Sequence, residues 1–182
     1  MEQEYIKVDD TKLELSELMV PSNSNFAGKI HGGFILSLMD KIAFACASKF
    51  SKKYCITASV DKVDFLNPVE VGDLLILKAK INYTGNSSMV VGIRVDSQDI
   101  KTGEVKHCNS SYFTMVAREN NKSVKIPGLL LENEKDIRRF IHAMEGKLRS
   151  KQFKSIFKDK NIDFTSPQYL KMLDNQNTKL NL

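Results

Sequence analysis

Asn25-Phe-Ala-Gly-Lys-Ile-His-Gly-Gly-Phe-Ile-Leu-Ser-Leu-Met-Asp40 decides how this chain folds. The stretch reads as a loop ending in paired glycines, followed by a long apolar helix over Gly33 to Phe50. Gly32 and Gly33 bare the backbone where the helix begins, so N–H groups there can face a ligand oxygen, and the helix dipole adds positive potential. At helical spacing, Gly33, Ser37, Lys41 and Ser48 form a narrow polar strip, and the remaining positions are apolar. Asp40 lies at the edge of that strip, beside Leu36 and Ala47. A carboxylate in such company must be solvated, paired or functional. The helix is too apolar for a surface, so the rest of the chain should wrap it.

Outward from the helix the periodicity changes to two. Thr11 to Met19 reads as a strand stopped by Pro21. After the helix, Tyr54 to Phe65, Leu74 to Tyr83, Ser88 to Ser97 and Val105 to Ala117 read as four more strands. Turn signals separate them at Asn67-Pro68, Val71-Gly72-Asp73, Gly85-Asn86 and Asp99 to Gly103. Consecutive strands on short turns make an antiparallel sheet, and one helix packed on one face of it gives an α+β domain.

The chain has 182 residues, 42% of them hydrophobic, which suffices for one domain with a real core and an appendage. Residues 1–118 carry 14 basic and 14 acidic side chains, whereas residues 119–182 carry 13 and 8, so the basic character belongs to the tail. We therefore expect a domain over 1–118 and a basic extension over 119–182. That extension holds a polar linker at Glu119 to Ser123, a turn at Ile126-Pro127-Gly128 and a helix over about 132–158, and its end from Asn161 has the composition of a partly disordered segment. Three cysteines without C-x-x-C spacing argue against a disulfide framework or a zinc site and fit a reducing compartment. No apolar run approaches the ~20 residues of a membrane span, and the N-terminus has no signal core, so a cytoplasmic protein is expected. The basic tail helix shows no helix-turn-helix pattern and no aromatic interleaving, so nucleic acid is not an expected partner.

Asn-x-x-Gly-x-x-His-Gly-Gly at Asn25 to Gly33, followed by Met39-Asp40, resembles acyl-CoA thioesterases of the hot-dog fold. Further matches follow in order. They are Ile56-Thr57-Ala58-Ser59-Val60-Asp61, Asp64-Phe65-Leu66-Asn67-Pro68-Val69, Val71-Gly72-Asp73, Tyr83-Thr84-Gly85-Asn86-Ser87-Ser88-Met89 and Phe113-Thr114-Met115-Val116-Ala117. The resemblance covers about residues 11–118. It implies a long central helix wrapped by a five- to six-stranded antiparallel sheet, two protomers joined edge to edge with active sites at their interface, and assembly as a trimer of dimers, a hexamer. It also implies acyl-CoA as substrate, free acid and coenzyme A as products, a place in fatty-acid metabolism, and neither metal nor further cofactor.

The site residues carry two readings each. Asp40 is either a carboxylate open to solvent or, as the resemblance implies, the general base for a water or the nucleophile on the thioester carbonyl. Asn25 is a turn residue or, by resemblance, faces Asp40 of the partner subunit. Gly32 and Gly33 give a tight helix entry, an oxyanion hole, or both. His31 is either a catalytic base or a residue that packs or hydrogen-bonds beside the glycines, where it is expected as a substrate-binding residue. Thr57 is a polar strand residue that the resemblance places near the site, and it places Ser87 and Ser88 near coenzyme A. Asp61 and Asp64 point to opposite faces of a strand and make no carboxylate pair. Two other functions compete with acyl-CoA hydrolysis. A hot-dog hydratase or dehydratase would need a histidine–acid pair, and a non-catalytic acyl-CoA-sensing module would bind the thioester without cleaving it.

Overall fold

The computed structural model describes residues 3–156, 162–174 and 176–179. Its central helix, α1 (Gly32–Ser51), starts because His31 caps it: the residue is extended, with φ −66° and ψ 125°, and its imidazole accepts a hydrogen bond from Gly33 N–H. It ends where Lys52 turns left-handed, at φ 54°. Between those ends Ile35, Leu38, Met39, Ile42, Ala43, Cys46, Ala47 and Phe50 are buried, with Met39, Ala43 and Ala47 wholly inaccessible.

The strands in chain order are β1 (Tyr5–Lys7), β2 (Leu13–Leu18), β3 (Tyr54–Val60), β4 (Leu74–Thr84), β5 (Ser88–Gln98), β6 (Val105–Glu119), β7 (Lys122–Ser123) and β8 (Gly128–Leu130). The five long ones form an antiparallel sheet in the order β2-β4-β5-β6-β3, and β7 turns back on the end of β6. Alternate residues, among them Leu75, Leu77 and Ile81 on β4, Met89, Val91 and Val95 on β5, and Phe113, Met115 and Ala117 on β6, are buried in one core with α1. A long helix wrapped by a curled antiparallel sheet is the hot-dog arrangement that the resemblance implies. Thr11 ties in the N-terminal turn: its hydroxyl donates to Val8 O at 2.7 Å and accepts from Ile81 N–H at 3.0 Å. All three cysteines are free and buried, and burial pushes the Cys46 thiol up to about 12.

Three segments differ from the sequence reading. The strand expected to reach Phe65 ends at Val60, because β3 bulges between Thr57 and Ser59 and the chain then follows β6 only through single bonds, Asp61 N–H to Tyr112 O and Leu66 N–H to Cys108 O. The polar Glu119 to Ser123 segment is a hairpin rather than a linker. Asn120 and Asn121 take positive φ, 47° and 61°, which the primed turns of hairpins require and asparagine tolerates. The turn expected at Ile126-Pro127-Gly128 runs directly into β8, which pairs in parallel with β1. Gly128 permits that approach: a Cβ there would lie 2.6 Å from the Tyr5 ring.

The chain divides into two compact units, residues 1–144 and 145–182. The second helix, α2 (Glu134–Ile156), begins at the Asn133 cap, whose Oδ1 accepts from Asp136 N–H at 3.0 Å. Residues 157 and 158 of the expected helix lie outside the described residues. Within the first unit α2 covers the outer sheet face through buried Asp136 and Ala143 and through Phe140, whose ring lies 5.0 Å from that of Tyr83. In the second unit, α3 (Pro167–Leu170) and a 3-10 turn at Lys171–Leu173 occupy the end read as partly disordered, of which residues 161, 175 and 180–182 lie outside the described residues. Among the described residues no helix is long and apolar enough to cross a membrane.

On the outer sheet face Asp96 is buried at 4% exposure. Arg94 Nε lies 2.8 Å away, His107 Nδ1 3.2 Å and Lys78 Nζ 3.8 Å. Burial pushes its carboxyl up, but the hydrogen bonds from Arg94 and His107 outweigh that and hold it below the ordinary value. A carboxyl held low in the folded state stabilises it above the unfolded pKa and loses that contribution as pH falls through the folded one. Asp96→Asn should cost about 1–3 kcal/mol at pH 7. In denaturant titrations from pH 7 to 2.5 the gap to wild type should narrow below about pH 4; a gap independent of pH would contradict this account. Met39→Ala, at a site with no exposure, should cost about 2–5 kcal/mol by the same assay.

Candidate active site

Packing α1 against the sheet leaves one strip of it in solvent, at Ser37, Asp40, Lys41, Phe44 and Ala45. Asp40 stands in its middle, about two turns beyond the helix start. The strip borders β3, the sheet edge that pairs only with β6. From β3, Thr57 Oγ1 donates to Asp40 Oδ1 at 2.6 Å and also contacts Met115 Sδ at 3.5 Å. The bulge between Thr57 and Ser59 lies beside this contact. One carboxylate oxygen is thus held by a hydroxyl, and the other has no partner among the described residues. Such a group can take a proton from water or attack a carbonyl.

The helix start has two N–H groups in different states. Gly33 N–H donates to His31 Nδ1 at 3.0 Å. His31 O accepts from Phe34 N–H at 2.9 Å and from Ile35 N–H at 3.3 Å. Because Nδ1 accepts, a neutral His31 ring carries its proton on Nε2. Gly32 N–H has no acceptor among the described residues, and the Phe65 ring lies against the Gly32 Cα: a Cβ there would lie 3.2 Å from Phe65 Cζ. Phe65 is a wall of the site that residue-by-residue reading passed over, although it sits in the Asp64 to Val69 motif. Asn67 fixes that segment by donating from Nδ2 to His107 O at 2.8 Å.

Asn25 lies in the loop before the helix. Its Oδ1 accepts from Ala27 N–H at 2.9 Å and Lys29 N–H at 3.2 Å, and its own N–H donates to Lys29 O at 2.7 Å. A bridge between Ser24 and Ile30 closes the loop and Lys29 pairs with Glu70, so the tip is held up with Phe26 fully exposed. Within one chain Asn25 makes no hydrogen bond to Asp40. Ser87 and Ser88 stand at the turn between β4 and β5, where Ser87 O accepts from Ala117 N–H at 3.0 Å and Ser88 O from Gly85 N–H at 2.7 Å. Met89, Met115 and Thr57 share one row across the sheet. Ser88 precedes Met89, so by strand alternation it faces away from α1 and is not brought to Asp40. The sequence-predicted residues therefore form two groups in one chain: Asp40, Thr57, His31, Gly32 and Gly33 around α1, and Asn25, Ser87 and Ser88 apart from them. Among the described residues no set of three His, Cys, Asp or Glu could hold a metal ion.

The model of the thioesterase superfamily matches residues 27–104, the end of the loop, α1 with Asp40, and strands β3, β4 and β5. Protein VdlD of Helicobacter pylori is 47% identical over 147 residues, which cover 81% of this chain and 82% of that protein. The crystal structure of an apo-hexameric acyl-CoA thioesterase superposes with TM-score 0.79 at 33% identity, covering 82% of this chain and 96% of that one. An acyl-CoA hydrolase of Staphylococcus aureus, solved with butyryl coenzyme A, coenzyme A and coenzyme A disulfide, superposes with TM-score 0.77 at 26% identity, covering 93% of this chain and 98% of that one. Fold, site geometry and likeness along most of the chain agree: this protein belongs to the hot-dog thioesterase superfamily and is related to the bacterial acyl-CoA thioesterases.

Proposed function

We propose that the protein hydrolyses the thioester of acyl-CoA to a free carboxylic acid and coenzyme A. The observation that carries this reading is the Asp40 carboxylate, held by Thr57 on the exposed strip of α1, on the same helix as the Gly32 N–H, which has no acceptor among the described residues. In one route Asp40 takes a proton from water, and the hydroxide adds to the thioester carbonyl. In the other Asp40 itself adds, forming an anhydride that water then cleaves. Both create an oxyanion, for which Gly32 N–H and the positive helix end are the donors at hand. Gly33 N–H can join only by sharing or releasing its bond to His31. Collapse breaks the C–S bond; in the first route the departing thiolate of coenzyme A takes up the proton that Asp40 removed from water, and in the second it takes one from solvent, which the water that cleaves the anhydride gives back.

The assembly belongs to the same proposal. Strand β3 offers an unpaired edge with Tyr54 and Val60 exposed, and Phe44, Phe65, Leu66 and Phe26 lie exposed as well. Two chains joined along β3 would cover this apolar surface and bring Asn25 of the partner subunit toward Asp40. We take the dimer as the functional unit and a trimer of dimers as its assembly, with the hexameric relative as support. The Staphylococcus aureus enzyme has been solved as three separate variants, in which alanine replaces an aspartate, an asparagine or a threonine, the residue types of Asp40, Asn25 and Thr57. Ser87 and Ser88 remain candidates for coenzyme A contact only across such an interface. A cytoplasmic location accords with a coenzyme A substrate. The hydratase reading loses its histidine, because His31 spends Nδ1 on capping α1 and has no acid partner among the described residues.

Thiol release from acyl-CoAs of two to sixteen carbons tests the activity. Asp40→Ala should lower kcat by about 10²–10⁴-fold, and Thr57→Ala by about tenfold, the value of one charge-assisted hydrogen bond. Circular dichroism should remain that of wild type. Full turnover by Asp40→Ala would remove Asp40 from the mechanism. Mixing Asn25→Ala and Asp40→Ala subunits tests the shared site. Random re-assembly makes half the dimers mixed with one whole site each, so about a quarter of wild-type activity should return. No recovery in verified mixed dimers would place both residues within one chain's site.

A further inference from the structure

The outer face of the sheet, opposite α1 and Asp40, holds a chain of three side chains that the hydrolase reading does not use. Asp96 Oδ1 lies 3.2 Å from His107 Nδ1, and His107 Nε2 lies 3.3 Å from Ser110 Oγ. Acid, imidazole and hydroxyl thus stand in the order in which a serine nucleophile is activated, with hydrogen-bond contact at both joints.

A bulge assembles them. In a regular strand, residues three apart point to opposite faces, so His107 and Ser110 would not meet. In β6 the pairing jumps from Val95↔Asn109 to Asp96↔His107, with Cys108 as the extra residue. Alternation is reset there: Cys108 and Asn109 are both buried, and His107 and Ser110 come to one face. Asp96 stands across the ladder from His107, and Arg94 from Ser110, so these residues make a rectangle on β5 and β6. Asn67 steadies one corner, donating from Nδ2 to His107 O.

Burial divides the chain as its chemistry requires. Asp96 is 4% exposed, and Arg94 Nε at 2.8 Å keeps it an anion. An ionised Asp96 accepts the proton of His107 Nδ1, which leaves the imidazole lone pair on Nε2, toward the Ser110 hydroxyl. Ser110 itself is exposed. With Arg94 and Lys78 it lines a cavity of about 810 Å³ bounded by β2, β4, β5, β6 and the first turns of α2. Six lysines and arginines line that cavity against three carboxylates, Asp9, Glu14 and Asp136, and Asp96 beneath Arg94 and Lys78 makes a fourth. The surplus is positive, so the cavity favours a molecule that carries negative charge.

We propose that Ser110 is the nucleophile of a second acyl-transfer site, with His107 as its base, Asp96 as the residue that positions His107, and a carboxylic ester bearing a negative charge as substrate. Ser110 Oγ adds to the ester carbonyl while its proton passes to His107 Nε2. Backbone N–H groups of these strands are spent on the ladder, so the positive charge nearest the new oxyanion is Arg94, directly across from Ser110. Collapse breaks the ester C–O bond, and the leaving alkoxide takes the proton from His107. Water then adds to acyl-Ser110 and gives a proton to His107. Release of the carboxylic acid returns that proton to Ser110 Oγ.

A fluorophosphonate tests the nucleophile on the full chain, independently of Asp40 and of acyl-CoA hydrolysis. It should phosphonylate Ser110 with loss of fluoride, as read by peptide mass spectrometry. His107→Gln should slow labelling about 10²-fold or more with circular dichroism unchanged. Asp96→Asn should slow it too and move the pH at which labelling fades downward, because an imidazole without its carboxylate holds a proton less tightly. The charged groups facing His107 are Asp96 and, around it, Arg94 and Lys78. Turnover is tested in the Asp40→Ala protein with mono-4-nitrophenyl glutarate and neutral 4-nitrophenyl butyrate. The glutarate should be cleaved several-fold faster, and adding Ser110→Ala should abolish cleavage of both. An unlabelled Ser110, wild-type labelling in His107→Gln, ester cleavage that survives Ser110→Ala, or preference for the neutral ester would overturn the proposal.

Discussion

Everything in this fold depends on burying α1. Its twenty residues carry so much apolar surface that a single sheet face cannot hide them unless the sheet curls. The five long strands do so, with alternate residues from β4, β5 and β6 closing on Met39, Ala43 and Ala47. What remains of the helix in water, besides Gly33 and Lys49 near its ends, is the strip from Ser37 to Ala45. The candidate site is the residue of this packing problem. Asp40 is exposed because the sheet ends at β3, and it meets Thr57 because β3 is the last strand beside that strip.

The two faces of the sheet solve different problems. The inner face is apolar and keeps the cysteines dry, so the Cys46 thiol stays protonated. The outer face carries charge: Asp96 is ringed by Arg94, Lys78 and His107, and Asp136 is paired with Lys80 and bonded by Asn133. Buried carboxylates of this kind are tolerated only when hydrogen bonds and opposite charges surround them. Three irregularities shape these faces. The bulge in β3 lies beside Thr57, the bulge in β4 lays Asn82 across Gly92, and the bulge in β6 brings His107 and Ser110 together. In each place an extra residue breaks the ladder and re-aims a polar side chain.

Helix termini do comparable work. His31 is a tempting catalytic base in a sequence, since histidine is the residue that titrates near neutrality. Its place at the cap of α1 gives it another task, because the first N–H groups of a helix need acceptors. Capping also decides which glycine can donate elsewhere. Gly33 is engaged, Gly32 is open, and the Phe65 ring lies against the Gly32 Cα.

The sequence by itself determined the local architecture. The 3.6 period of Gly33 to Phe50 and the 2.0 period of the later strands reflect which face of each element must leave water, so the central helix and the five long strands were legible. So was the isolation of Asp40 among apolar residues. Short pairings were not legible: β1 with β8, and the Asn120-Asn121 hairpin, rest on three residues or fewer and on backbone angles that no periodicity encodes. The early end of β3 was hidden for the same reason, since a bulge leaves no hydrophobic signature. Only the tertiary structure decided that Thr57 reaches Asp40 while Ser88 faces away, and that His31 takes the Gly33 N–H. It alone decided that Asp96, His107 and Ser110, from β5 and β6, meet on the outer face. Contacts between residues far apart in the chain depend on register, curl and helix placement, which are set by packing the whole core at once.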